Sequence, residues 1–245
     1  MDLNIYISTC NTHIHLMKPF SYLFNKFWSP NQKVNVLCYD LPNFDTPANF
    51  NYISMGKSTG NSKEWAGDLH NFFKSVDDKH LIFGLEDFFI CQPVDIQMIE
   101  KLQTYTEDKA VARISLTHHL RKRPYDLIYA DGDYRVIESH SYTDYRVSSQ
   151  FAIWQNEYFT HYLSQGGSIW DWEMGSLDPA RTDGYRVLGT VEKFAIYIAT
   201  GVRKPTPGEP VNVNDIDWTC DIDLGEPDKN LDVEIIEDMR KKGFI

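Results

Sequence analysis

Short apolar runs alternate with amphipathic helical patterns along the first 110 residues. Apolar runs at 3–8, 34–39, 52–55 and 81–85 predict strands, since each ends at polar or turn-forming residues. Between and after them, apolar side chains recur at helical spacing from Pro19, from Ser62 and from Asp95, the last two being predicted N-caps. This alternation predicts βαβ units and a Rossmann-like α/β fold, in which helices flank a mainly parallel central sheet.

The pattern changes after residue 110. Strands are predicted at 111–116, 127–130, 134–137, 149–154, 185–188 and 194–198, and helices at 156–163 and from Trp170. Asp131-Gly132 is a hairpin signal, so a small antiparallel part is expected. From Arg203 the chain is rich in Pro, Gly and Asp, which predicts an irregular tail with one helix over 231–242. We expect one domain over 1–205, with halves meeting near residue 110, and an extension over 206–245 packed on it.

The acidic charge balance narrows the classes of partner. The 245 residues carry a net charge of −11. A general nucleic-acid binder needs a basic surface, so nucleic acid is not an expected partner, and an anionic membrane is disfavoured for the same reason. No apolar run approaches the roughly 18 residues that span a bilayer, and the N-terminus lacks a basic segment followed by an apolar one. Neither a transmembrane segment nor a signal peptide is therefore expected.

The cysteines predict reduced thiols. Cys10, Cys38, Cys91 and Cys220 show no Cys-x-x-Cys spacing, which leaves a zinc or redox motif without support. Three of the four lie in or beside apolar runs, where a free cysteine behaves as a small hydrophobic residue. Buried, reduced thiols are typical of a cytoplasmic protein.

Two adjacent carboxylates are the strongest chemical feature. Glu86 and Asp87 directly follow the apolar run 81–85, and ligands of open α/β sheets bind at the carboxyl ends of strands. Carboxylate oxygens at that edge can hold a divalent cation, and the cation can hold a diphosphate. The alternative interpretation is that two polar residues simply begin a loop.

A second feature lies at 168–175, where Trp170 and Trp172 flank Asp171 and precede Glu173. Indole faces stack on sugar rings, and a nearby carboxylate can accept a hydroxyl proton. The alternative is an amphipathic turn whose tryptophans pack into the core. The cationic run at 118–123 has the chemistry to clamp a pyrophosphate, although a solvated loop is the more common explanation of such a run.

The order of these features resembles a group of bacterial and viral glycosyltransferases of the GT-A fold over residues 3–200. Leu85-Glu86-Asp87-Phe88-Phe89 is similar to their acidic motif, where the diphosphate of a sugar nucleotide meets a divalent metal. Segments 149–154 and 170–175 resemble their acceptor-side segments, and the second is also similar to the Trp-Gly-Trp-Glu-Asp stretch of galactosyltransferases. Two departures are visible: Phe88 follows the acids where the usual Asp-x-Asp ends in an acid, and Asp171 and Met174 replace the Gly and Asp of the galactosyltransferase stretch.

The resemblance implies an inverting transfer of a sugar from a nucleotide-sugar donor to a glycan, polysaccharide or other hydroxyl acceptor. Asp87, helped by Glu86, is implied to bind Mn²⁺ or Mg²⁺ and the donor phosphates, and Glu173 is implied to deprotonate the acceptor. The donor nucleotide is expected near Thr9, Asn11, Thr12 and Asp40, and the acceptor near Gln150, Trp154, Trp170 and Trp172. Residues 1–110 would then be the donor half and 111–205 the acceptor half.

Two other classes of protein remain open. A nucleotidyltransferase of related fold usually has a Gly-rich, basic loop after its first strand, whereas the loop here, 9–13, contains neither Gly nor Arg. A non-catalytic carbohydrate- or partner-binding module would suit the aromatic content of 14%. That module predicts sugar binding that is independent of nucleotide and unaffected by Asp87→Asn.

Overall fold

The computed structural model describes residues 3–200, 217–220 and 233–245 as a mixed α/β chain. The strands are β1 (Asn4–Ser8), β2 (Val34–Cys38), β3 (Phe50–Ser54), β4 (His80–Leu85), β5 (Phe88–Ile90), β6 (Val111–Ser115), β7 (Tyr125–Asp131), β8 (Tyr134–Ser139), β9 (Ala152–Gln155), β10 (Arg186–Glu192), β11 (Ile198–Thr200) and β12 (Asp217–Cys220). The helices are α1 (Met17–Phe27), α2 (Trp65–Phe73), α3 (Ile96–Gln103), α4 (Asn156–Leu163), α5 (Ile169–Gly175), α6 (Pro179–Thr182) and α7 (Val233–Lys241). Across the described ranges, every helix is too short or too polar to cross a lipid bilayer.

The chain divides into two compact units, each assembled from separated segments. The first unit comprises Met1–Ile5, Lys57–Gly84 and Asp95–Ala195, and the second comprises Tyr6–Gly56, Leu85–Val94 and Ile196–Ile245. The division near residue 110 and the packed extension over 206–245 stay predictions. Much of the tail that the composition predicts to be irregular, at 201–216 and 221–232, lies outside the described residues.

The sheet of the second unit is built from parallel strands in the order β3-β2-β1. Its register places Ile7 beside Val36 and Val36 beside Tyr52. Helix α1 contributes a fully buried apolar face, and the rings of Phe24 and Phe50 meet edge to face with centroids 5.5 Å apart. A smaller antiparallel sheet has the order β12-β11-β5.

The sheet of the first unit has the strand order β4-β9-β6-β10-β8-β7. Strand β9 runs antiparallel to both β4 and β6, β10 runs parallel to β6, and β8 runs antiparallel to both β10 and β7. Strands β4, β6, β10 and β7 therefore share one direction. The predicted mainly parallel sheet flanked by helices, with a small antiparallel part, is confirmed. Gly132, with φ of +58°, turns the predicted hairpin between β7 and β8.

Helix starts show where local signals succeed and fail. The Asp95 side chain accepts a hydrogen bond from the Met98 N–H at 2.9 Å, so its prediction as the N-cap of α3 is confirmed. The prediction of Ser62 as a cap is wrong, because the Asn61 side chain caps the 3-10 turn that leads into α2 by accepting from the Lys63 N–H. Both residue types accept such bonds well, and the backbone before the turn decides which one does.

A buried guanidinium ties together the irregular segments of the first unit. Arg146 is 2% exposed and donates to the backbone carbonyls of Ser139 (3.0 Å), Ala180 (2.8 Å) and Tyr185. Carbonyls that would be orphaned between β8, α6 and β10 thereby gain charge-assisted donors. One side chain thus replaces the regular hydrogen bonding that this part of the chain lacks.

The cysteines differ from expectation at one position. Cys10 and Cys38 are free thiols, as predicted. Cys91 is disulfide-bonded, so the prediction of a reduced thiol there is wrong. A disulfide between cysteines that are distant in sequence leaves no local spacing, which is why the Cys-x-x-Cys criterion did not detect it. The expected cytoplasmic location therefore loses its support from the cysteines and stays a prediction.

We expect Gly84→Ala to destabilise the protein by about 1–3 kcal/mol, the usual range for an overpacked core. A Cβ atom at Gly84 would lie 2.5 Å from the Phe151 ring, which is fully buried. Urea unfolding measures the change. The matched control is Gly67→Ala in α2, where a Cβ meets nothing within 4 Å among the described residues. That variant should be neutral or up to about 1 kcal/mol more stable, and equal stability of the two variants would contradict the packing argument.

Candidate active site

The loop after β1 folds into a tight turn in the second unit. The Thr9 N–H donates to the Leu37 carbonyl at 2.9 Å, which continues the pairing of β1 with β2. The His13 N–H then donates to the Cys10 carbonyl, also at 2.9 Å. Closing the turn in this way brings the Cys10 and His13 side chains to the same place, with their ligand atoms within 4.8 Å of each other.

Two hydrogen bonds join Asn11 and Asp40, which follow the neighbouring strands β1 and β2. The Asn11 side-chain amide donates to the Asp40 carboxylate at 2.7 Å, and its carbonyl oxygen accepts from the Asp40 backbone N–H at 3.0 Å. The sequence predicted both residues near a donor nucleotide, and they meet at the carboxyl edge of parallel strands, as expected for a ligand-binding edge. Thr12 and Asp40 are exposed there, whereas Thr9 is buried.

Glu86 is a buried carboxylate with a histidine partner. It is 5% exposed, and its Oε1 lies 3.0 Å from His13 Nδ1. This hydrogen bond is the main cause that raises the pKa of His13, with the charges of Glu86 and Asp87 adding to it against the effect of burial. The pKa of the Cys10 thiol is also raised, mainly by burial.

Asp87 lacks a comparable partner. The residue as a whole is part-exposed, but its Oδ1 is buried and accepts no hydrogen bond from the described residues. Burial, followed by repulsion from the Glu86 charge, raises the pKa of Asp87 to about 7, while His13 acts in the opposite direction. A buried carboxylate oxygen without a donor has the chemistry to hold a proton or a cation.

The structure thus brings together most of the predicted donor-side residues within the second unit. The sequence missed Cys10 and His13 as members of this site. A signal was present, because Cys10-Asn11-Thr12-His13 places two ligand-type side chains three residues apart directly after a strand. The third member of the cluster, Glu86, lies in a turn that is distant in sequence, so only the fold brings it to Cys10 and His13.

The predicted acceptor-side residues lie in the first unit. Glu173, in α5, is 6% exposed, and its Oε1 accepts from the Ser149 N–H at 2.6 Å. Gln150 is held as well, since its side-chain oxygen accepts from the Thr117 hydroxyl at 3.1 Å. Asp171 has a structural role, because it forms a capping box with Ser168 at the start of α5. Glu173 is therefore the acid of this segment that helix capping does not explain.

The tryptophans divide into a buried pair and an exposed residue. The rings of Trp154 and Trp172 have no exposed surface, and their centroids lie 6.1 Å apart. The ring centroid of Phe159 lies 4.8 Å from that of Trp154. Packing into the core therefore accounts for this pair, and their burial speaks against direct contact with an acceptor. Trp170 is 70% exposed, which leaves its indole accessible.

Arg113 is a buried cation that the sequence analysis missed. It lies in β6 without exposed surface, and its guanidinium stacks 5.0 Å from the Trp154 ring centroid. Burial lowers the pKa of Arg113 to about 9, and the charge of Glu173 opposes that shift. The cationic run 118–123 is also partly packed, with Arg121 5.8 Å from the Phe194 ring centroid and His118 buried, so it is more than a solvated loop.

No family model and no curated protein matches the chain. Solved structures with partial similarity include residues 1–349 of TarS from S. aureus, with 12% identity and a TM-score of 0.44 over 80% of this chain and 60% of that one. The mannosyltransferase PcManGT from Pyrobaculum calidifontis, solved with GDP-Man and Mn²⁺, has 13% identity and a TM-score of 0.46 over 76% of this chain and 53% of that one. A CMP:2-keto-3-deoxy-manno-octonic acid synthetase solved with CTP has 12% identity and a TM-score of 0.42 over 77% of this chain and 89% of that one. The chain thus spans less than two thirds of the TarS and mannosyltransferase structures.

We expect Asp87→Asn to stabilise the protein near pH 8 and to have little effect near pH 4. The folded pKa of Asp87, about 7, lies above the value of about 4 for an unfolded aspartate. Folding therefore favours the protonated carboxyl, whose contribution is present below about pH 4 and is lost as the pH rises through about 7. Urea unfolding of both proteins in chelator across this range measures the difference. Asp45→Asn, at an exposed position, is the control, and a pH-independent difference for Asp87→Asn would contradict the argument.

Proposed function

We propose that this chain is a glycosyltransferase that binds the nucleotide part of a sugar-nucleotide donor in its second unit. The supporting observation is the convergence of Asn11, Asp40 and the Glu86-Asp87 pair at the ends of β1, β2 and β4. Such edges of α/β sheets are where ligands bind. The Asn11–Asp40 pair and Thr12 offer donors and acceptors that suit a base or a ribose.

The acidic pair takes the diphosphate end of the proposed donor. Two carboxylates repel a diphosphate unless a cation lies between them, and the unpartnered Asp87 Oδ1 fits a cation ligand. When bound, a divalent ion would offset the charge that builds on the leaving diphosphate. Glu86 and Asp87 hold that ion in the proposal, and Asn11 keeps the neighbouring loop in place.

Glu173 is the proposed base of the acceptor side. A base must be held in a fixed orientation towards the hydroxyl whose proton it removes, and the Ser149 N–H fixes one carboxylate oxygen of Glu173. The other oxygen would take the proton as the hydroxyl attacks the anomeric carbon from the face opposite the diphosphate, which inverts the configuration. Trp170 offers an exposed indole face for a sugar ring.

A nucleotidyltransferase of related fold is the second enzymatic candidate. It would bind a nucleoside triphosphate and would need basic or glycine-rich contacts after β1, which the loop 9–13 does not provide. A carbohydrate-binding module, the non-enzymatic candidate, would bind sugar through Trp170 with no requirement for nucleotide. The following measurements separate these candidates.

A nucleoside diphosphate should raise the midpoint of thermal unfolding. A ligand that binds only the folded state at 100 times its dissociation constant stabilises by about 2.7 kcal/mol. We would test UDP, GDP, dTDP and CMP with and without Mn²⁺, and CTP for the nucleotidyltransferase. One responding diphosphate, with a response that Asp87→Asn weakens, supports the donor site. A response to triphosphate alone favours the nucleotidyltransferase, and none to any nucleotide favours the binding module.

Glu173→Gln should lower the rate of sugar transfer by about 10²–10⁴, the usual contribution of a general base, while nucleotide affinity stays unchanged. Glutamine keeps the oxygen that accepts from Ser149, so the fold should be preserved. Transfer kinetics and the thermal midpoint are both measured. Glu157→Gln, at an exposed position of α4, is the matched control. Full activity of Glu173→Gln, or a loss explained by a lower thermal midpoint, would leave Glu173 with a structural role only.

A further inference from the structure

Sulfur, nitrogen and oxygen ligand atoms meet at one place in the second unit. The ligand atoms of Cys10, His13 and Glu86 all lie within 4.8 Å of one another. Two ligands of one tetrahedral zinc ion lie about 3.5 Å apart, given Zn–S of about 2.3 Å and Zn–N of about 2.0 Å. Small side-chain movements would therefore close the cluster around an ion. We propose that Cys10, His13 and Glu86 form a transition-metal site that prefers Zn²⁺ or Co²⁺ to Mg²⁺.

The backbone holds two of the three ligands in advance. The His13 N–H donates to the Cys10 carbonyl at 2.9 Å, and the Leu16 N–H donates to the His13 carbonyl at 2.8 Å. Cys10 and His13 are thus presented by one closed turn, anchored by its bonds to β2 on one side and to the start of a helical segment on the other. A site whose ligands are already placed loses little chain entropy when the ion binds.

The chemistry of the ligand atoms selects the ion. Mg²⁺ binds oxygen ligands in octahedral geometry and keeps several waters, so a thiol and an imidazole are poor ligands for it. Thiolate and imidazole suit Zn²⁺ and Co²⁺, whose affinity for such mixed sites exceeds that of Mn²⁺. The sequence, which supplied only Glu86 and Asp87 as ligands, pointed instead to Mn²⁺ or Mg²⁺.

Two existing hydrogen bonds show what the ion would replace. His13 Nδ1 lies 3.0 Å from Glu86 Oε1, and Cys10 Sγ lies 3.1 Å from the Thr12 hydroxyl. An ion between these groups would take the place of the shared protons and would keep the buried Glu86 charge compensated. The positive charge of the ion would thus take the place of His13 as the partner of the Glu86 carboxylate.

The part-exposed side of the cluster is accessible to a further ligand. Cys10 and His13 are part-exposed while Glu86 is buried, so the cluster opens to one side. Three protein ligands with an open position are typical of zinc sites that bind substrate or water, whereas structural zinc sites are closed. Asp87 directly follows Glu86, and its buried Oδ1, which accepts no hydrogen bond from the described residues, offers a further oxygen ligand to a cation. Only the assignment of the open position to a donor phosphate oxygen rests on the proposed function.

Cobalt binding to the full-length protein tests the site without nucleotide or activity. Metal-free protein, prepared anaerobically, is titrated with Co²⁺ while absorbance is recorded. We expect the near-ultraviolet charge-transfer band of a cobalt thiolate together with the visible bands of tetrahedral cobalt. Cys10→Ser should abolish the charge-transfer band, and His13→Gln and Glu86→Gln should each weaken binding at least about 10-fold. Zn²⁺ should displace Co²⁺ at stoichiometric concentration, whereas a large excess of Mg²⁺ should not.

The other free thiol supplies the matched control. Cys38 is buried in β2, its thiol lies 3.7 Å from the Ile53 carbonyl, and it is not one of the clustered ligand residues, so Cys38→Ala should keep the charge-transfer band. Far-ultraviolet circular dichroism of each variant checks its fold. Cobalt binding without a thiolate band, a band that survives Cys10→Ser, or displacement by Mg²⁺ as readily as by Zn²⁺ would overturn the site. A cobalt-thiolate band in a protein that binds no nucleotide would support the metal site and contradict the proposed transferase. Nucleotide binding without that band would support the transferase and contradict the metal site.

Discussion

Burial of the Glu86 carboxylate and of the neighbouring Asp87 Oδ1 atom is the constraint on which the candidate site of the second unit depends. A buried carboxylate needs a positive partner or a proton, and two adjacent ones raise that requirement. His13 meets it for Glu86, and the closed turn after β1 presents the His13 side chain to that carboxylate. Asp87 meets it only in part, through a raised pKa. The proposed binding site at this edge of the sheet rests on that unmet requirement.

The first unit buries ionisable side chains of opposite sign. Its core is rich in aromatic rings, and Arg113 and Glu173 are both buried within that unit. Each is held partly by groups that cannot move far: a tryptophan ring for Arg113 and a backbone N–H for Glu173. Such a carboxylate is oriented and charge-balanced before any substrate arrives, which suits a base and also stabilises the fold. The structural role and the proposed catalytic role of Glu173 share one side chain, so stability and activity must be measured on the same variants.

Several elements could be predicted because their signals are local. The apolar run that forms β2, the Asp95 cap of α3 and the Asp131-Gly132 hairpin each depend on residues within a few positions of one another. Strand β5 was missed because it is only three residues long and exists through its pairing with β11. The strand predicted at 194–198 begins only at Ile198, since the apolar residues before it are buried without forming a ladder.

The sequence by itself determined the α/β class, most of the longer helices and strands and the position of two acids at the end of a strand, because hydrophobic periodicity and caps act over short distances. Tertiary structure decided which side chains meet. Trp172 and Trp170 lie on the same short helix, yet packing against Trp154 buries the first and leaves the second exposed. The same holds for Cys10, His13 and Glu86, which form one cluster only because the β1 turn meets the turn that follows β4. Contacts between residues distant in sequence have no local pattern, so the fold alone could assign these roles.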